Sequence, residues 1–443
     1  MTMLEHFTPD AARDLPGPEW LAARRADAVA RLADVEWPTA AEEIWRYSRI
    51  GELDLSSFRP VPADQMGEPG DEPAPGGGPI AAEAGERSGL VVVRNGRVVH
   101  HKLDADLEAK GVRVCGIATC EADELASLLG TCSDASPDAF TALHDAFLAG
   151  GAYVKVPRGV VVDQPIVVLH WSEGDGLASF PHTLVVAEDG AEVTVFDRYG
   201  SADTKAGGIG HFVDAVVELI VGDNAHVRYL SVQEQGPHTW QVALQRAHLG
   251  RDATLKSSVV ALGGAYARLR SESLLAGSGA ESDLTAVYFG DGHQMLDFRT
   301  LQDHDAPNTR SDLLFKGAVE DTAQSVYSGL IRIRPDAQNS VAFQTNRNLV
   351  LTEGADARSV PNLEIEADDV KCSHASTVGP VDDDQLYYLA TRGVAPEEAE
   401  RLIVLGFFDD VFDRLPVRSL VAPLRRSVVE KIEHRDPIAR ARA

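Results

Sequence analysis

The chain of 443 residues contains little cysteine, few aromatic residues and few basic residues. Four cysteines are too few for a disulfide framework at this length. Because only 6% of the residues are aromatic, the core must consist mainly of small aliphatic side chains. Asp and Glu number 68 against 41 Lys and Arg, which gives a formal net charge of −27. Such a charge repels phosphate backbones and anionic membrane surfaces, so we expect no binding to nucleic acid or to a membrane.

Segments that would direct the chain into or across a membrane are not evident. The first residues, MTMLEHFTPDAARDL, are acidic and lack the apolar core of a signal peptide. No apolar run approaches the length of a membrane span. We therefore expect a cytoplasmic protein, in which the acidic charge provides solubility and the cysteines are reduced.

The common catalytic motifs are also missing from the sequence. It contains no GxxxxGK[ST] phosphate loop, no GxSxG, no HExxH and no pair of CxxC motifs. The GGIG run at 207–210 lacks the preceding strand and following helix of a nucleotide site, so we expect this chain to bind no nucleotide itself. The sequence therefore does not favour a nucleotide-binding enzyme, a serine hydrolase or a zinc protease.

The N-terminal region, residues 1–60, is predicted to be helical. One helix is indicated by apolar residues at helical spacing, namely Leu21, Ala28, Leu32 and Val35. Thr39 and Glu42 match a capping box, which predicts a second helix through Trp45 and Tyr47. Residues 61–89 are rich in Pro, Gly and acidic residues with almost nothing to bury, which predicts a disordered linker.

Residues 90–151 are predicted to form a small α/β segment. Asn95-Gly96 predicts the turn of a β-hairpin. Pro137 is expected to begin a short helix that ends at Gly150-Gly151, with a buried face formed by Phe140, Leu143 and Phe147. Cys115, Cys120 and Cys132 match no metal-binding spacing and are interpreted as buried or incidental thiols. The histidines at positions 100, 101 and 304 are interpreted as surface or core residues.

In residues 152–380 short β-rich runs follow one another without a helical period. The turns between them repeat in style, as in GDNAHV, GRDATL and RPDAQN. This weak repetition favours a mainly β fold built as a parallel β-helix, in which each coil covers its neighbour. An antiparallel sandwich is the alternative, although more than two hundred residues of strand is long for one sandwich.

Helical signals return in residues 381–443. Acidic residues and Gly393 bound a first helix, and Pro396 and Gly406 bound a second. A last helix is indicated by Leu420, Leu424, Val428 and Ile432, and Pro423 should kink it or shift its start. We expect these helices to cover the open last coil and to provide a docking surface.

Cys372 and His374 are the candidate site residues. In a strand, residues i and i+2 point to the same side with Cα atoms about 7 Å apart, so a thiolate and an imidazole here could share a metal. Two ligands do not complete a metal site, so the missing ones would come from another chain or from bound sulfide. Spacing alone favours a structural role for the pair.

The segment around this pair resembles the SufB/SufD family of iron–sulfur cluster assembly proteins. The resemblance rests on SVPNLEIEADDVKCSHASTVGPVDDDQLYYLATRGVAPEEAERLIVLGFFDDV, NTRSDLLFKGAVEDTAQSVYSGLIRI, AFQTNRNLVL, FTALHDAFLAGGAYVKVPRGVVVDQPI and EEIWRYS. It covers nearly the whole chain except residues 61–89. The SufD branch is the more similar, because Asn346 stands where SufB proteins carry a cysteine, and Ala375 follows His374 where they carry a glutamate. SufD proteins usually have Gly-Ala where this chain has Ala375-Ser376.

The resemblance implies a right-handed parallel β-helix core flanked by N-terminal and C-terminal α-helical regions. It also implies a non-catalytic scaffold subunit that pairs with SufB through the β-helix and binds the ATPase SufC through its C-terminal helices. A transient iron–sulfur cluster or iron would sit at the SufB interface, with His374 as its ligand and Cys372 in support. A homodimer of the isolated chain is plausible. The solenoid pattern alone would also suit a polysaccharide-active β-helix enzyme or a structural solenoid.

Overall fold

The computed structural model describes residues 4–67, 85–121, 124–135, 138–202 and 208–433. These residues form a β-solenoid of about eight turns, in which successive strands alternate between two mostly parallel sheets. Sheet A contains β1 (Arg59–Pro60), β4 (Arg113–Gly116), β5 (Ala152–Val156), β7 (Leu177–Ser179), β8 (His182–Ala187), β10 (His211–Val221), β12 (Thr239–Leu249), β14 (Tyr266–Leu275), β16 (Met295–His304), β18 (Gln324–Ile333) and β20 (Asp356–Ile365). Sheet B contains β2 (Gly89–Arg94), β3 (Arg97–Leu103), β6 (Ile166–Ser172), β9 (Glu192–Ser201), β11 (His226–Glu234), β13 (Thr254–Ala261), β15 (Glu281–Gly290), β17 (Arg310–Val319), β19 (Val341–Val350) and β21 (Lys371–Gly379). The predicted parallel β-helix is confirmed.

The repeated turns have a common backbone geometry. Where the chain passes from sheet A to sheet B, one residue per coil adopts a positive φ, and these residues are Gly159, Gly190, Asn224, Asp252, Gly279, Asn308 and Asn339. Asn, Asp and Gly tolerate this left-handed conformation best. Each such residue donates its backbone N–H to a carbonyl of the next coil's turn, as from Asn224 to Arg251 at 2.8 Å and from Asn308 to Gln338 at 2.9 Å. The repeated turn sequences therefore correspond to the repeated coils of the solenoid.

The N-terminal region is only partly helical. Helices α1 (Pro9–Arg13) and α2 (Glu19–Leu32) are present, but the second helix predicted after Thr39 is wrong. The backbone N–H of Thr39 does donate to the Glu42 carboxylate at 2.7 Å, yet only short 3₁₀ turns follow, at Glu43–Trp45, Ile50–Glu52 and Leu55–Ser57. Sheet A holds the backbone here, because Arg268 and Arg299 donate to the carbonyls of Ile44 and Arg46, each at 2.8 Å.

The linker predicted for residues 61–89 is wrong at both of its described ends. Val61 and Met66 are buried, and the N–H of Val61 donates to the Ala178 carbonyl at 3.0 Å. A 3₁₀ turn, Ala63–Gln65, lies between them, and β2 begins at Gly89. These residues belong to the folded core, because Val61 bonds to β7 and Gly89 pairs with Ile166 of β6. Residues 68–84 lie outside the described residues.

The segment before the solenoid contains the predicted hairpin, since β2 and β3 are antiparallel and Asn95 and Gly96 have φ of 48° and 87°. Helices α3 (Ala105–Ala109), α4 (Leu125–Leu128) and α5 (Ala139–Phe147) follow. Asp138 caps α5 in a reciprocal capping box with Thr141; the predicted first residue, Pro137, lies outside the described residues. The aromatic face of α5 is buried, as predicted.

Two of the three cysteines of this segment are not the free thiols that the sequence predicts. Cys115 and Cys120 form a disulfide, with Cα atoms 5.7 Å apart. The turn between them is fixed by its backbone, because the N–H groups of Thr119 and Cys120 both donate to the Gly116 carbonyl. Cys132 is free and buried, as expected.

The C-terminal helices are α6 (Asp383–Thr391), α7 (Pro396–Phe412) and α8 (Val421–Glu433), the last preceded by a 3₁₀ turn, Arg418–Leu420. Pro423 lies in the first turn of α8, so the predicted shift of the helix start is confirmed. The predicted end at Gly406 is wrong, because Phe408 and Phe412 carry α7 onward into the apolar cluster that also contains Phe289 of β15.

The expected covering of the last coil by these helices is also wrong. Helices α7 and α8 pack against the side of sheet B, where Val404, Phe408 and Val428 join apolar residues of the strands. Among the described residues, β20 and β21 each pair with one strand only, so the end of the solenoid is open. No described helix is long and apolar enough to cross a lipid bilayer.

Candidate functional site at the open end of the solenoid

Both predicted donors lie on β21, the last strand of sheet B. The parallel register with β19 places Cys372 opposite Ala342 and His374 opposite Gln344. Ala342 and Gln344 are buried inside the solenoid. Cys372 and His374 therefore share the inward face of the last coil, in the same-side arrangement that their spacing predicts.

Cys372 is half-buried in an apolar environment. It packs against the cluster that contains Ile331, Ile333 and Ala342. Burial raises the pKa of its thiol. Because the thiolate is the form that binds metals, the isolated chain disfavours Cys372 as a ligand.

His374 is exposed and has no hydrogen-bond partner among the described residues. No further coil of the described residues covers it, so its side chain is open to a partner at the end of the solenoid. A neutral imidazole is a suitable ligand for iron and zinc. His374 is therefore the better placed of the two candidate donors.

The described residues do not supply a complete metal site. Among them no group of three or more His, Cys, Asp or Glu side chains could hold a metal ion. Tetrahedral iron in iron–sulfur clusters needs more ligands than His374 and Cys372 offer. The open end therefore offers two possible donors, Cys372 and His374, and no complete metal site within the part of the chain that the structure describes.

The rim of this open end is suited to contact with another chain. The free edges of β20 and β21 present unpaired backbone N–H and C=O groups, which is the usual template for pairing with a further strand. Large apolar side chains are exposed on the same two strands, namely Val360, Ile365 and Val378. The candidate donors therefore lie beside an open strand edge with exposed apolar side chains.

Beneath the last coil lies a layer of buried amides that the sequence analysis missed. Gln344, Asn346 and Asn348 alternate along β19 and face the interior. Asn346 donates to the Tyr288 hydroxyl at 3.0 Å, and this hydroxyl donates to Asn348 at 2.6 Å. The alternation of QTNRN was the available signal for an inward polar face. Asn346 is thus a structural residue inside the solenoid.

The C-terminal helices provide a second exposed surface. Helix α6 has no buried residue, and Tyr387 on it is 72% exposed. Tyr388 and Leu402 are also exposed large side chains. The side chain of Asp382 accepts a hydrogen bond from the backbone N–H of Asp384 at 2.9 Å, so the acidic run caps the helix.

A model of the SUF system FeS cluster assembly SufBD core domain matches residues 170–407, which is more than half of the chain. The chain belongs to the SufBD family. The SufD protein of Bacillus subtilis is 33% identical over 348 residues, which covers 76% of this chain and 79% of that protein. An iron–sulfur cluster assembly SufBD family protein of Mycobacterium tuberculosis is 34% identical over 304 residues, 67% of this chain and 73% of that protein.

Membership of the SufBD family makes the chain an iron–sulfur cluster assembly protein and a homologue of SufD. The solenoid pattern alone also suited a polysaccharide-active enzyme or a structural solenoid, and the family assignment replaces both. The other residues that the sequence analysis considered do not join the site. His100 and His101 lie on β3, His304 is buried on β16, and Cys132 is buried beside Glu218.

Proposed function

We propose that this chain is a SufD-like, non-catalytic scaffold subunit that pairs with SufB through the open end of its solenoid. The single observation that carries the proposal is that His374 lies exposed on an edge strand that pairs, among the described residues, on one side only. A partner solenoid that adds its own edge to β20 and β21 would satisfy the free backbone groups and cover the apolar side chains there. In the absence of SufB, a second copy of this chain would use the same edge.

The cargo at this interface is a transient iron–sulfur cluster or iron. His374 is its ligand from this chain, and SufB or sulfide supplies the others. Cys372 supports the site from the half-buried side, where its raised thiol pKa opposes permanent ligation. A neutral imidazole binds iron less firmly than a thiolate does, which suits a cluster that must be passed on.

The second part of the proposal concerns the C-terminal helices, which would bind the ATPase SufC. Tyr387 and Tyr388 on α6 and Leu402 on α7 are exposed large side chains. Exposed tyrosines are favourable anchors in protein interfaces because they combine apolar area with a hydroxyl group. The chain itself would bind no nucleotide and would act in the cytoplasm.

The direct test is to co-purify the tagged chain with the SufB and SufC of its own organism and to compare His374→Ala with the wild type. The matched control is His101→Ala, since His101 is also exposed but lies on β3. We expect all three chains to assemble with both variants. The iron and sulfide content of the complex should fall at least several-fold in His374→Ala and should stay at the wild-type level in His101→Ala. Normal cluster content in His374→Ala would remove His374 from the site, and failure to retain SufB or SufC would remove that partner.

A further inference from the structure

Gln344 of β19 is the residue directly beneath His374 in the sheet B ladder. Its side chain is 1% exposed, and neither its amide oxygen nor its amide nitrogen has a hydrogen-bond partner among the described residues. A buried amide without partners is unfavourable, so an interior position retains one only when something else stabilises or requires it.

The same interior satisfies the neighbouring amides of β19. Asn346 donates to Tyr288 and to the Phe315 carbonyl at 3.3 Å, and Asn348 donates to Asn346 at 2.8 Å. Within β19, Gln344 is therefore the one amide next to the open end whose polar atoms have no partner among the described residues.

A gap in the opposite sheet makes room for the Gln344 amide. Gly329 of β18 has no side chain, and a Cβ atom placed there would lie 2.6 Å from the Gln344 amide nitrogen. The amide thus extends across the interior, under the last coil. Ser359 of β20 faces the same interior, and its hydroxyl is also buried without a partner. Two unsatisfied polar groups consequently lie around the inner side of the coil that carries His374.

We propose that Gln344 is a positioning residue for His374. In the loaded complex, its amide oxygen accepts a hydrogen bond from the N–H of the imidazole that turns toward the interior, and this directs the other ring nitrogen out of the open end toward the cargo. Metal-binding histidines generally donate their second N–H to such an acceptor, which fixes the tautomer and the ring orientation. The inference rests on the proposed function, because it assumes that His374 binds the cluster.

The test uses the complex of this chain with SufB and SufC, loaded with ferrous iron and sulfide, and measures the rate of iron release to a chelator. Gln344→Met removes the acceptor and keeps the volume, whereas Gln344→Glu keeps an acceptor oxygen. We expect release to be about tenfold faster in Gln344→Met, at the lower end of the usual effect of such supporting groups. Gln344→Glu should release iron at a rate closer to that of the wild type.

The matched control is Gln302→Met. Gln302 of β16 is also 1% exposed with both amide atoms unpartnered among the described residues, but it pairs in register with Ile331 and lies farther from the open end. We expect its release rate to equal that of the wild type. The melting temperature of the metal-free chain should stay the same or rise in both Met variants, since each removes an unsatisfied amide.

Several results would overturn the inference. A wild-type release rate in Gln344→Met would do so, as would equal acceleration in Gln302→Met, which would indicate a general effect of the polar interior. A lower melting temperature that accounts for the faster release would assign Gln344 a purely structural role. His374→Ala separates the two proposals: if it too releases iron at the wild-type rate, the proposed function itself fails.

Discussion

His304 is a buried histidine, far from the candidate site, whose protonation affects the stability of the fold. It is fully buried in β16, where its two ring nitrogens lie 2.8 Å from the Thr309 hydroxyl and 2.9 Å from the Ser311 hydroxyl. Burial lowers its pKa to about 4. The unfolded chain, with a pKa of about 6.5, therefore binds the proton more tightly than the folded chain does.

We predict that His304 makes the solenoid sensitive to acid. Because its pKa is depressed in the folded state, its contribution is fully present above pH 6.5 or so and is lost as the pH falls toward about 4, by at most about 3 kcal/mol. Urea unfolding of the wild type and of His304→Gln at several pH values between 7 and about 4 measures this. The variant should lose less stability over that range; equal losses would contradict the assignment.

At the residue scale, the sequence was informative about which side chains share a face and uninformative about what surrounds them. Cys372 and His374 were predicted to point the same way, and they do. That Cys372 packs against Ile331 and Ile333 depends on the neighbouring coil, which no local spacing reveals. Gln344 was missed for the same reason, since its missing partners are a property of the assembled interior.

Among the elements, the C-terminal helices contain two glycines with different backbone conformations, one within α7 and one just before it. Gly406 lies within α7, with ordinary helical backbone and nothing within 4 Å of an added Cβ atom. Gly393, between α6 and α7, is equally open but has a φ of 82°. The two positions therefore differ in backbone conformation and not in available space.

We predict opposite effects of alanine at these two glycines. Gly406→Ala should stabilise the C-terminal helices by about 0.5–1 kcal/mol, because alanine loses less backbone freedom on folding. Gly393→Ala should destabilise them by about 1 kcal/mol, because an L-residue is strained at that φ. Urea unfolding monitored by hydrogen exchange of α7 measures both. Changes of the same sign would refute the account of these two positions.

Element boundaries were the least predictable feature, because tertiary contacts override local signals. The Thr39–Glu42 signal formed its hydrogen bond, yet Arg268 and Arg299 hold the carbonyls of Ile44 and Arg46, and only a 3₁₀ turn forms there. Gly406 resembled a helix stop, but Phe408 and Phe412 bury α7 against sheet B and extend the helix past it. The turns were more predictable, since a left-handed residue such as Asn224 or Asn339 requires Asn, Asp or Gly at the position itself.

On the scale of the whole molecule, the described residues form a solenoid with one end uncovered, and this follows from where the C-terminal helices pack. A strand pattern predicts the β-helix because every coil repeats the same alternation. It does not predict the placement of α7 and α8 along the side of sheet B, since their apolar faces would suit either location. Only the assembled fold reveals that Val378 and His374 remain exposed at the end.

We predict that a charge at this open end prevents assembly without unfolding the chain. Val378 is 45% exposed, and Val161, before β6, is 44% exposed. Glutamate at either position should change stability by no more than about 0.5 kcal/mol. Val378→Glu should lose SufB, and self-association as well, in sedimentation velocity and co-purification, whereas Val161→Glu should behave as the wild type. Retention of SufB by Val378→Glu would place the interface elsewhere.

The central claim is that His374 of this chain binds the cargo at the interface with SufB. Its most direct test is to label the histidines of this chain alone with nitrogen-15, assemble it with unlabelled SufB and SufC, load the complex with ferrous iron and sulfide, and record pulsed electron paramagnetic resonance of the reduced cluster. The account predicts a nitrogen-15 hyperfine coupling in the wild type that disappears in His374→Ala. A loaded wild-type cluster without that coupling, or a coupling that persists in His374→Ala, would contradict it.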